Sequence, residues 1–120
     1  MKKYFVILII IVAVFMTCVG MIINSLMSIN KLEQLAKEEE VALYYVTPET
    51  MCEMQATYNF AARPAGLYFS DSKMIYIASD CYFDYWVLAH ELGHHFSIKA
   101  WGDHSEKMAN LYGARILRSI

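Results

Sequence analysis

The chain has 120 residues, room for one domain of ordinary size, which excludes a multidomain enzyme. Ten Lys and Arg against twelve Asp and Glu leave a net charge of −2, so no positive excess collects phosphates and nucleic-acid binding is set aside. Hydrophobic residues make up 58% and charged ones 18%, and that apolar surplus is concentrated at the amino terminus.

Residues 4–23 read YFVILIIIVAVFMTCVGMII, with no charge between Lys3 and Lys31. A helix of that length covers ~30 Å, the thickness of a bilayer's hydrocarbon core, and predicts a membrane anchor over 1–23. The competing reading is a cleaved signal peptide with Lys2 and Lys3 as its basic start, but such apolar stretches run about 7–15 residues and no good cleavage site follows. Lys2 and Lys3 against Lys31 and Lys37 favour a cytoplasmic amino terminus and an extracytoplasmic remainder. Cys52 and Cys81, the pair outside the membrane, either form a bridge there or are two unrelated buried thiols.

Residues 24–40 lack Pro and Gly and space Leu26, Ile29, Leu32, Leu35 and Ala36 by threes and fours, which predicts a helical stalk or first domain helix. A domain over 41–120 follows. Its opening runs, VALYYV at 41–46, GLYFS at 66–70 and KMIYIA at 73–78, predict strands, the last two forming a hairpin across Asp71 and Ser72. The stretch 49–65 is open to a helix, a loop or an edge strand. A helix is expected from Ser79 or Asp80 to about Lys99, with Tyr85, Leu88, Ala89, Leu92 and Phe96 on its apolar face. Gly102 and Asp103 break the chain before a second helix over about 104–117.

The first of these helices contains His90-Glu91-Leu92-Gly93-His94, a complete HExxH. Positions four apart share a helix face, so both imidazoles reach one metal, while Glu91 is turned by about 100° toward a water on it. Two imidazole nitrogens suit Zn²⁺, which takes a third protein ligand and keeps a place for water. Gly93 costs a helix interior about 1 kcal/mol relative to Ala and implies a close approach by a neighbour. His95 points off the face of the pair, as a supporting or surface group. The spacing HExxHxxGxxH fails at Ser97 and Ala100, which removes the metzincins.

The third ligand comes from Glu106, Asp103 or His104. Glu106 opens the next helix, with Asn110 and Gly113 on its face and small Ala109 and Gly113 allowing tight packing. Asp103 and Glu106 also have the spacing of a capping box, in which Glu106 merely satisfies the helix start.

VLAHELGHHF followed by Glu106-Lys107-Met108-Ala109-Asn110 resembles the ImmA/IrrE-type zinc metallopeptidases, compact gluzincin-like enzymes of bacteria and their mobile elements. The likeness covers about 41–117. It implies His90 and His94 as zinc ligands, Glu106 as the third and Glu91 as catalytic acid/base. Members are typically soluble proteins that cleave regulators, so the anchor is a departure. The expected fold is α+β: a transmembrane helix, then a minimal zincin-like domain of helix, small mainly antiparallel sheet, HExxH helix and Glu-bearing helix. The expected function is a membrane-anchored zinc endopeptidase acting on a peptide or protein substrate bound along the edge of strand 66–70 or 73–78. The rival is a noncatalytic zinc-binding regulatory or interaction module. Neither the substrate's side-chain preference nor the oligomeric state is legible.

Overall fold

The computed structural model describes residues 2–81 and 84–120. Helix α1 (Lys2–Glu38) is unbroken. Residues 2–24 are exposed throughout, whereas Ile29, Leu32 and Ala36 are buried against the rest of the domain. Helix α1 is long and apolar enough to cross a membrane. The helix ends in a Schellman turn: Glu40 takes φ 58°, its N–H reaches Lys37 O at 3.1 Å, and Val41 N–H reaches Ala36 O at 2.8 Å. That turn drops Val41 into the core and starts β1 (Ala42–Val46).

The stretch left open by the sequence begins as a helix, α2 (Pro48–Tyr58). Thr47 caps it by accepting from Thr50 N–H at 3.2 Å, Pro48 occupies its first turn, and Asn59 closes it in the left-handed region. Strands β2 (Gly66–Phe69) and β3 (Met74–Ala78) form the expected hairpin, with Phe69 opposite Met74 and Lys73 at φ 52° in the connection.

The sheet order is β1-β3-β2, and β1 runs parallel to β3, Ala42 to Val46 pairing with Met74 to Ala78. The sheet is therefore mixed rather than mainly antiparallel. Pairing of β1 with the central strand follows from burial: Ile75 and Ile77 lie between the neighbours and face the helices, while Tyr44, Tyr76 and Phe69 stack on the opposite face. β3 is interior, so among the described residues β2 is the hairpin strand with an unpaired edge.

A single 3₁₀ turn (Ser79–Cys81) precedes α3 (Tyr85–Trp101). The helix starts later than the sequence suggests, because Asp80 is engaged by Arg63 at 2.7 Å, and Asp84 is the cap, accepting from Trp86 N–H at 3.1 Å. The expected earlier start includes Tyr82 and Phe83, outside the described residues. Gly102, at φ 65°, ends α3 with its N–H on Ile98 O. Helix α4 (Glu106–Ser119) then packs back along α3.

Two glycines set that approach. A Cβ on Gly93 would stand 2.2 Å from Ala109 O, and one on Gly113 would stand 3.0 Å from Ala89 O. Backbone meets backbone there, which fixes how near α4 comes to the histidine face.

Candidate metal centre and its cleft

His90 and His94 lie one turn apart on α3, and Glu106 sits at the first position of α4. Glu106 Oε2 is 2.7 Å from His90 Nε2 and Oε1 is 3.1 Å from His94 Nε2. The ligand atoms of the three residues all lie within 4.8 Å of one another. Glu106 is free to turn this way because Ser105, not Asp103, caps α4, its hydroxyl accepting from Met108 N–H at 3.3 Å. Asp103 instead accepts from Ser105 N–H at 2.8 Å, and its carbonyl receives the Ser97 hydroxyl at 2.8 Å. The bonds from Ser105 hold the Asp103 carboxyl below its ordinary range. His104 lines the same cleft without joining the group of three.

The imidazoles are set for ligation. His90 Nδ1 lies 2.7 Å from Asn110 Oδ1; the amide oxygen accepts the Nδ1 proton, so in the neutral ring the Nε2 lone pair faces Glu106. A lone pair facing a carboxylate oxygen at 2.7 Å requires a proton or a cation between them. Burial pushes His94 down from its ordinary value, partly opposed by Glu106, which favours the neutral ring. Two imidazole nitrogens and a carboxylate, with the Glu106 side chain 74% exposed, are a donor set of the kind Zn²⁺ takes.

Glu91 is 6% exposed. Gly66 of β2 makes room for it: a Cβ there would meet Glu91 Cγ at 3.0 Å and Oε1 at 3.1 Å. Burial first, and the Glu106 charge second, push the Glu91 carboxyl up to about 8. Both effects are of the kind that a cation held between His90, His94 and Glu106 offsets.

A cleft of about 670 Å³ opens over these groups, bounded by Gly66, Leu67, Tyr68 and Ser70 of the β2 side and by Trp86, His90, Glu91 and His94 of α3. The free edge of β2 thus forms one wall. Strand 73–78, the other expected edge, lies in the middle of the sheet.

His95 is neither a surface group nor part of the donor cluster. At 4% exposed, its Nδ1 is 2.8 Å from the Tyr68 hydroxyl and its Nε2 is 3.1 Å from Glu39 Oε1. Lys99 Nζ also reaches Glu39 Oε1 at 2.8 Å, and these two bonds hold the Glu39 carboxyl below its usual range. This chain of bonds ties the end of α1, α3 and the cleft-lining strand β2 together. Sequence reasoning assigned no role to Asn110, Gly66, Tyr68 or Glu39. Only Asn110 carried a signal, its place one turn beyond Glu106.

Cys52 is exposed and Cys81 half-buried, and no bridge joins them. They lend no support to an oxidising compartment. Compared with family models, curated proteins and solved structures, the chain matches none.

Proposed function

We propose that the chain is a membrane-anchored zinc metallopeptidase. What carries this reading is the convergence of His90 Nε2, His94 Nε2 and both Glu106 carboxylate oxygens beside a buried Glu91. The resemblance to ImmA/IrrE-type enzymes rests on the same residues.

His90, His94 and Glu106 would hold a Zn²⁺ ion, which would supply Lewis acidity and make a water more acidic. An extended peptide adds to the free edge of β2, main chain to main chain, which lays its carbonyls across the cleft. Glu91 takes a proton from the attacking water, the water oxygen bonds to the carbonyl carbon, and Glu91 delivers the proton to the leaving nitrogen as the C–N bond breaks. Asn110 keeps His90 in the ligating tautomer. The low polarity around Glu91 suits a group that must both take and return a proton.

The test is metal content and turnover in the full chain and in Glu91→Gln. One zinc per chain in both, with peptide-library cleavage in the parent alone, supports the reading. Zinc without cleavage in either assigns the noncatalytic binding module, and absence of stoichiometric zinc removes both. The side of the membrane is a separate matter: an extracytoplasmic domain predicts that a reporter fused at Ile120 is active only outside the cytoplasm, and a cytoplasmic signal reverses the orientation.

A further inference from the structure

Helix α1 does two things without a joint between them. Its residues 4–23 form the apolar rod, and from Ser25 onward it becomes part of the domain. The height of the cleft above a bilayer is therefore fixed by helix geometry, not by a linker.

That height is readable because α3 lies alongside α1 and runs in the same direction. At the lower end, Asn24 and Ser28 of α1 share a crevice with Tyr85 and Trp86 of α3 and with Arg118 of α4. At the upper end, Glu39, the residue just past α1, bonds His95 and Lys99 of α3. Asn24 and Ser28 stand ~2–8 Å beyond Ile23 at a rise of ~1.5 Å per residue. His90 and His94 stand one and two turns beyond Trp86, ~6–12 Å further. The metal centre thus lies ~10–20 Å from the edge of the hydrocarbon core, at or just above headgroups that occupy roughly 5–7 Å.

The surface between the two levels is continuous. Trp86, 58% exposed, borders both the lower crevice and the metal cleft. Tyr85, Trp86 and Arg118 at the level of Asn24 are the residue types that settle at a membrane interface. A folded soluble protein has to bring its target bond down to this depth against the bilayer surface. An extended chain rising from a span of its own reaches it with about 3–6 residues at ~3.5 Å each, and confinement to the same bilayer raises its effective concentration.

We infer that the substrate is the juxtamembrane segment of another protein anchored in the same bilayer, cut about 3–6 residues from its membrane boundary. The inference rests on the reading of the site as a peptidase and of residues 4–23 as its anchor. It holds for either side of the membrane.

The experiment uses the full-length, zinc-loaded chain in phosphatidylcholine/phosphatidylglycerol vesicles. The probes are randomised ten-residue segments, presented either within 10 residues of a single-span reporter helix, or 30 residues from it, or free in solution. The expected result is at least tenfold more cutting in the near set. Equal cutting of near and far sets, or preference for free peptides, overturns the inference and leaves the peptidase reading intact; no cutting of any set overturns both. A second variant inserts seven residues between Ile23 and Asn24, which lifts the domain ~10 Å while turning it only ~20°. Its cuts should move outward by about three residues, and an unchanged cut position overturns the inference.

Discussion

The two faces of α3 carry neighbouring histidines to opposite ends. His94 joins His90 and the exposed Glu106 carboxylate at the mouth of an open cleft. His95, the next residue, is buried between Tyr68 and Glu39, both of its nitrogens bonded to protein groups. One face turns two imidazoles and a carboxylate toward one another at an open cleft; the other is satisfied and holds the scaffold. A helix turns about 100° per residue, so adjacent residues of one type enter environments as different as an open cleft and a core polar bridge. The lesson is that the count of histidines in a motif says less than which partner each ring nitrogen finds.

The largest expected effect lies on the open face. Glu91→Gln should lower peptide hydrolysis by about 10²–10⁴-fold, the usual contribution of a positioned acid/base, with zinc retained at one per chain by metal analysis. Turnover at the parent rate would break the assignment of that face. Next is Gly93→Ala. A methyl group 2.2 Å from Ala109 O forces α3 and α4 apart, and overpacking of this kind costs about 1–3 kcal/mol. The variant should unfold at lower denaturant and bind zinc more weakly, since Glu106 moves with α4. Asn110→Ala should keep the fold and weaken zinc by about 10–100-fold in a chelator competition, the range for loss of a residue that orients a ligand.

The smallest effect belongs to the buried face. Glu39→Gln should cost about 1–2 kcal/mol near neutral pH, the order of a charge-assisted hydrogen bond, while zinc affinity stays at the parent value. Its pH dependence has a definite sign. The Glu39 carboxyl sits below its ordinary 4.5 in the folded chain, so its stabilisation is present above that value and fades as pH falls through the folded pKa. Parent and variant should converge in acid. If zinc affinity falls as far as in Asn110→Ala, the two faces are not independent and the comparison fails.

Much of the α3 arrangement was legible because it is local. Spacing by four places His90 and His94 together whatever the rest of the chain does, and Gly93 announced a close neighbour by its cost in a helix. The strands were legible from their aromatic and β-branched runs. What the sequence concealed depends on contacts between distant residues. The parallel pairing of β1 with β3 is decided by which strand buries Ile75 and Ile77 on both sides. The start of α3 shifts because Arg63 takes Asp80 away from capping. Glu106 had the spacing of a capping residue, and only Ser105 in that role frees its carboxylate for the histidines. For His95 the sequence leaves a supporting and a surface role open, because its partners, Tyr68 and Glu39, lie 27 and 56 residues away.

Zinc K-edge absorption of the stoichiometrically loaded full chain, with Glu106→Gln alongside, addresses the metal centre most directly. The account predicts one zinc bound by two imidazole nitrogens and oxygen donors, no sulfur, and loss of one carboxylate donor in the variant. Thiolate sulfur from Cys52 or Cys81 in the spectrum, or a coordination shell unchanged by removing the Glu106 carboxylate, would contradict it.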